Sequence, residues 1–266
     1  MLDLNLLLLP FFGFLIGLLV SMLGGGGGGL YVPVLTLIFG IPTQVAVATS
    51  LASVLPTTAL GALSHYREGN VDIRTGFILG IGGIVGTIIG AYIANLLPSI
   101  LLRKFLGVFM LIMLIPMLRS ALKRRKKAEK SENGNENTKA IVNLTGPKRI
   151  IASFFGVASG LMAGVFGISG TPPVTMGLYS LGLPAIMVVG TSVFVLIFNS
   201  AAGIGGYFLL GRLDLKLIIL LGGGAAVGAY LGPKILKKID PKTIEKIYAP
   251  LLITISLVFG LALILS

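Results

Sequence analysis

Apolar positions run along this chain in long unbroken stretches, and polar residues gather in short islands between them. From Leu4 to Ser64 there is no Asp, Glu, Lys or Arg. A helix needs about 20 apolar residues to span the hydrocarbon layer, so this stretch alone holds more than one crossing. Continuous runs predict helices, whereas a membrane barrel would alternate residue by residue. The runs fall at 4–23, 43–63, 75–97 and 101–118, and again at 150–166, 184–209, 214–233 and 247–265. Two further apolar pieces, 30–39 and 174–181, are short. Ten residues at 1.5 Å each cover about 15 Å, half of a bilayer core.

The order of runs repeats. GIPTQVAVATS (Gly40–Ser50) matches GLPAIMVVGTS (Gly182–Ser192) at an offset of 142. GNVDIRTGFILGIGGIVGTIIGA (Gly69–Ala91) matches GRLDLKLIILLGGGAAVGAYLGP (Gly211–Pro233) at the same offset, with Asp72 on Asp214. Upstream, GFLIGLLVSMLG (Gly13–Gly24) matches GVASGLMAGVFG (Gly156–Gly167) at 143. The chain therefore divides into a first transmembrane repeat, 1–118, a basic linker, 119–148, and a second transmembrane repeat, 149–266. The predicted class is all-α: a polytopic membrane protein of two inverted repeats, each a re-entrant or broken helical hairpin followed by three transmembrane helices.

Charge orients the copies. If each first helix and its short piece form a hairpin that returns to one face, a repeat crosses an odd number of times and the copies are inverted. If the two make one interrupted span, each repeat crosses four times and the copies are parallel. The inverted arrangement puts 17 Lys and Arg on the linker side and 4 on the other; the parallel one gives 14 and 7. Cytoplasmic loops carry the excess of Lys and Arg, which favours inversion, with the linker cytoplasmic and both termini outside a multi-pass plasma-membrane protein.

Composition narrows the classes. The chain is 55% hydrophobic and 11% charged, against about 25% charged in soluble domains. Its net charge of +12 would suggest nucleic acid in a soluble protein, but ten of the 21 Lys and Arg lie between Arg119 and Arg149. That cluster reads as a topology signal with some contact to anionic lipid, and no nucleic-acid partner is expected. There is no cysteine, so no disulfide framework, thiolate metal site or Cys nucleophile is available. The N-terminus has Asp3 and no Lys or Arg before Arg67, unlike a signal peptide, so the segment from Leu4 is read as retained.

The chemistry sits at the interruptions. Gly24, Gly25, Gly26, Gly27, Gly28 and Gly29 stand between the first helix and the first short piece. Each costs a helix roughly 1 kcal/mol relative to Ala. Unwound backbone at membrane depth is tolerated only where it lines a cavity or packs inside protein. A half-helix start beyond it offers unpaired N–H groups and a positive dipole end, which suit an anion. The equivalent in the second copy is GISGTPP, with Gly167, Ser169, Gly170 and Thr171 ahead of Pro172 and Pro173, which are at home in a helix first turn. The weaker tract in the second copy leads to the expectation that the first tip is the more mobile. Glycines also serve close helix packing, and most of the 38 are read that way.

A second constellation is AVATS, with Thr49 and Ser50, and its counterpart VVGTS, with Thr191 and Ser192. Their hydroxyls can bond an oxyanion or fold back on their own i−4 carbonyls. Recurrence in both copies favours substrate contact. Asn199, inside an apolar span, is a further candidate, with interhelical bonding the alternative. His65 has no cluster of Cys, Asp or Glu at metal-ligand spacing, and neither metal nor cofactor is expected. No acidic residue sits in the middle of a span, and no P-loop or Ser/His/Asp arrangement appears, so proton relay by carboxylates, ATP hydrolysis and enzyme chemistry are not expected.

Taken in order, the Gly-rich break with a VP-containing half-segment, A-T-S after G-x-P, and HYREGNVD leading into a Gly-rich span resemble the sulfite exporter TauE/SafE family. GTS and the Gly-rich span after Asp214 fit the same pattern. The resemblance covers nearly the whole chain outside the linker. It implies a permease exporting small sulfur-containing anions such as sulfite, sulfoacetate or other organosulfonates, with Gly24–Gly29, Thr49, Ser50, Thr191 and Ser192 as site-forming positions. Alternating access is the expected mechanism. A passive anion channel of the same fold and a non-transporting membrane scaffold are the alternatives. Beyond the anion and the lipid bilayer, homo-oligomerisation stays open. The six consecutive glycines and the long basic linker exceed the family pattern.

Overall fold

The computed structural model describes residues 7–21, 28–128, 146–236 and 241–266. Helices follow one another in two sets of five. The first set is α1 (Leu9–Ser21), α2 (Gly28–Pro33), α3 (Thr43–Arg67), α4 (Ile73–Leu96) and α5 (Ser99–Ala128). The second is α6 (Gly146–Phe166), α7 (Thr171–Ser180), α8 (Ala185–Leu209), α9 (Leu215–Leu236) and α10 (Pro241–Leu265). The described residues form no strand, and five of the helices (α3, α4, α6, α8 and α9) are long and apolar enough to cross a membrane. The chain is an all-α polytopic membrane protein.

Two element ends differ from the sequence reading. Helix α5 runs on to Ala128, past the predicted end at 118, because the linker opens with Ala, Leu, Lys and Arg, all strong helix formers. Helix α2 passes at Pro33 into a π-helical turn, Val34–Ile38. Proline has no N–H to continue the ladder, and the wider turn accommodates that loss. The Thr36 hydroxyl donates to the Val32 carbonyl at 2.8 Å, which keeps the turn satisfied.

The two sets exchange partners. Helix α1 packs on α9, and α6 packs on α4, with backbone against backbone. A methyl on Gly82 would lie 2.7 Å from the Ser153 carbonyl oxygen, one on Gly160 2.7 Å from the Thr87 nitrogen, and one on Gly90 2.7 Å from the Leu161 oxygen. At the other seam, a methyl on Gly17 would lie 2.7 Å from Ala225 Cα, and one on Gly228 2.7 Å from the Leu18 nitrogen. No side chain fits such gaps, which is how small residues let membrane helices approach without a hydrophobic drive between them. In each seam, residue numbers rise together, so α4 runs parallel to α6 and α1 parallel to α9. The outer face of α4 carries exposed Ile81, Val85, Ile88 and Tyr92, while its glycines face inward. That inverts a soluble pattern and suits a lipid surround.

Helices α3, α4 and α8 are the most enclosed of the spans, and α3 packs against α8. Gly61 faces Val193, and Gly203 faces Leu51, so the two run antiparallel. Helix α8 is parallel to α4, since Gly76 faces Phe194 and Gly80 faces Phe198.

Candidate functional site

The second interruption is fully described and shows how a break is held inside the helical packing. Helix α6 ends at Phe166. Gly167 (φ +67°) and Gly170 (φ +73°) then turn the chain through left-handed conformations that a side chain would strain. Gly170 is doubly constrained, because a methyl there would overlap the Ser159 carbonyl and hydroxyl. Helix ends leave carbonyls without internal donors, and here other helices supply them. Tyr207 Oη donates to the Gly164 carbonyl at 2.7 Å, and Ser50 Oγ donates to the Gly167 carbonyl at 2.9 Å. Asn199 Nδ2 donates to the Ser169 carbonyl at 3.3 Å and to Ser159 Oγ at 2.8 Å. Ser169 Oγ and Thr171 Oγ1 lie 3.2 Å apart. The structure thus brings Ser50, Gly167, Ser169, Gly170, Thr171 and Asn199 together, joined by α3, α6 and α8.

Of the first interruption, Gly24, Gly25, Gly26 and Gly27, and with them the expectation about tip mobility, lie outside the described residues. Helix α2 begins at Gly28. A methyl on Gly29 would meet the Ile168 side chain at 3.9 Å, and one on Gly167 would lie 2.8 Å from Val32 Cγ2 and 3.0 Å from Val47 Cα. The start of α2 therefore abuts the second break. The two half-helix starts are unequal as anion seats. Pro172 and Pro173 delete two of the first-turn amides of α7, whereas Gly28 to Tyr31 each carry one.

The repeated Thr–Ser pairs have diverged in their contacts. Thr191 Oγ1 accepts the Asp72 N–H at 2.9 Å, just where Asp72 caps α4 by accepting from Thr75 N at 3.2 Å. Ser192 Oγ donates to the Val189 carbonyl of its own helix at 2.8 Å. Thr49, in contrast, is fully buried with no hydrogen-bond partner for its hydroxyl, and the same holds for Ser53 one turn further along α3. The Asn199 carbonyl oxygen is also without a hydrogen bond and rests against the bare backbone of Gly83.

Ser159, Tyr207 and Ser53 were not singled out by sequence. Ser159 lies in the helix-packing stripe of Gly156 and Gly160, which masks it, and Tyr207 sits close to a loop. For Ser53 a signal existed, namely its i+4 spacing from Thr49. His65 stands in the last turn of α3, where its Cβ packs on Gly190, and among the described residues no group of three His, Cys, Asp or Glu could hold a metal ion. Arg212 Nε donates to Asn95 Oδ1 at 2.8 Å, which ties the α8–α9 loop to the end of α4.

Such a framework, apolar outside with interrupted helices inside, matches known transporters in sequence. The model of the family described as sulfite exporter TauE/SafE matches residues 9–259. The chain is 31% identical over 234 residues to the probable membrane transporter protein YdhB of Bacillus subtilis, covering 88% of this chain and 91% of that protein. It is 40% identical over 84 residues to the probable membrane transporter protein MJ0441 of Methanocaldococcus jannaschii, covering 29% of this chain and 32% of that one. No solved structure matches it. A family match across nearly all of the chain, on a helical membrane framework, makes this protein a membrane transporter of the sulfite exporter TauE/SafE family.

Proposed function

We propose that this transporter exports small sulfur-containing oxyanions, such as sulfite, sulfoacetate or related organosulfonates, across the plasma membrane by alternating access between two inverted repeats. The observation that carries the reading is the meeting of the α2 start with the 167–170 break, enclosed by Ser50 and Asn199. An anion there is held by backbone amides and hydroxyls, with no covalent step. Interrupted helices that place dipole ends and unwound backbone near the midplane suit this task. Substrate identity rests on the family description.

The crossing of α3 and α8 supports inversion. A translated second copy would run α8 in the same direction as α3 and against α4. Instead α8 is antiparallel to α3 and parallel to α4. With the charge distribution of the loops, this favours a cytoplasmic linker and external termini.

Proteoliposomes loaded with radiolabelled sulfite or sulfoacetate, with a neutral control, test the proposal. Efflux of the anions, accelerated by unlabelled anion on the opposite side, is the expected result. Equal flux of the neutral compound would overturn the oxyanion reading, and anion flux without trans-stimulation would replace the exchanger with a channel.

A further inference from the structure

Hydroxyls buried in helices normally return to their own backbone, four or three residues back. Several in this protein do so: Thr36 to Val32, Thr58 to Val54, and Ser192 to Val189. Thr49 and Ser53 do not. Both are fully buried in α3, and neither hydroxyl has a partner. They are four residues apart and therefore share one face of the helix. That face is directed at α9, because a methyl on Gly222 would lie 3.4 Å from Ser53 Oγ. The backbone of α9 presents no side chain at that point. Ser53 is the eleventh residue of a 25-residue helix, close to its middle.

The repeat-related place is built differently. Gly80 corresponds to Gly222, and the counterparts of Ala52, Ser53 and Pro56 are Phe194, Val195 and Phe198. Phe194 packs on Gly76, Phe198 packs on Gly80, and Phe77 joins both rings at 5.6 and 5.4 Å between centroids. Thr191, the counterpart of Thr49, is already occupied by the Asp72 N–H. Ala48 also differs from its counterpart Gly190, whose bare Cα lets the Asn70 carbonyl approach. Among the described residues no bond links Thr49 to the Asp214 cap.

We propose that the ligand surface is one-sided: the Thr49 and Ser53 hydroxyls of α3, facing the bare Gly222 of α9, bind the oxygen atoms of a small oxyanion. At the equivalent positions of α8, the Thr191 hydroxyl is taken by the Asp72 N–H and Val195 has no hydroxyl to offer. This deepens the transport reading above and rests on it for the class of ligand. The repeats are then symmetric in fold and asymmetric in chemistry.

The chain has no cysteine, so single-cysteine variants report cleanly. Thr49→Cys, Ser53→Cys, Thr191→Cys and Val195→Cys are reconstituted and exposed to the anionic sulfonate reagent MTSES, and the remaining thiols are counted after denaturation. Positions 49 and 53 are expected to react at least roughly tenfold faster than 191 and 195. Sulfoacetate, which is inert to thiols and to the reagent, is expected to slow them, whereas sodium chloride of equal ionic strength is not. Equal rates at 53 and 195, or no reaction at 49 and 53, would overturn the one-sided site. Fast reaction without protection by sulfoacetate would keep the site and remove the sulfonate class. Protection by sodium chloride and not by sulfoacetate would point to chloride and overturn the oxyanion ligand. Ser53→Cys is nearly isosteric with serine and carries the comparison with 195 alone if Thr49→Cys fails to reach the membrane.

Discussion

Removing the Asn199 side chain tests how the second break is held. Its amide nitrogen makes two bonds, at 2.8 Å to Ser159 Oγ and at 3.3 Å to the Ser169 carbonyl. The first has ideal length and the second is long. A neutral hydrogen bond contributes about 1 kcal/mol net in water, and interhelical bonds in membranes average about 0.6, with a maximum near 1.7. Asn199→Ala also leaves a buried carbonyl without a donor, so a total loss of about 1–3 kcal/mol is expected. Ser159→Ala removes one of the two bonds and should cost about 0.5–1.5 kcal/mol. The decisive quantity is their coupling. In a double-mutant cycle read by reversible unfolding in mixed micelles, the pair should couple by about 0.6–1.5 kcal/mol. Independent sites add to within about 0.3–0.5 kcal/mol, so a coupling inside that margin would refute the arrangement. Anion efflux should fall with Asn199→Ala beyond what the lost folded fraction accounts for, because the proposed anion seat adjoins the break.

Three further substitutions, two of them paired with a control, probe other contacts. Gly160→Val forces a side chain into a seam where even a methyl lies 2.7 Å from the Thr87 nitrogen, and should abolish monodisperse protein on size exclusion; Gly223→Ala, which meets nothing within 4 Å, should leave it unchanged. Gly170→Ala combines a left-handed residue, costing about 1–2 kcal/mol, with overlap on Ser159, so the midpoint of thermal unfolding should drop clearly while Gly182→Ala, with the same backbone sign but open space, drops less. Thr191→Val keeps the shape but leaves the Asp72 N–H without its acceptor, a cost of about 1–3 kcal/mol that should appear in unfolding and not in the affinity for anion.

Much of this architecture was legible because its signals are repeated. Apolar runs were enough to place most of the helices, and the position of the second break followed from glycine and proline chemistry. What the pattern could not carry was the difference between the copies. Thr49 and Thr191 occupy matching positions in matching motifs, yet one hydroxyl is unpartnered and the other receives an amide. That difference is decided by a residue distant in sequence, Asp72, from a loop 119 positions from Thr191. Ser159 was hidden for a related reason, since a serine among packing glycines has the same sequence signature whether or not it accepts a bond. The π turn after Pro33 and the length of α5 were missed because apolar runs mark where the bilayer ends and not where the helix does.

The exchanged seams set which parts can move. In each, one helix of one repeat lies against a helix of the other with backbones in contact, and packed elements of this kind are bistable at best and do not deform gradually. Pairs α1–α9 and α4–α6 therefore behave as rigid units that each straddle both repeats. Neither repeat can carry its own first helix away without opening a seam whose gaps exclude even a methyl group. The contacts between α3 and α8 are different in kind: Leu51, Val193 and their neighbours interpose side chains, and side chains can change rotamer. The breaks lie on this same central layer, at Gly29, Gly167 and Gly170. Access to a site between α3 and α9 thus has to come from rearrangement of the central layer and its breaks between two fixed flanks. It cannot come from one repeat rocking as a whole against the other.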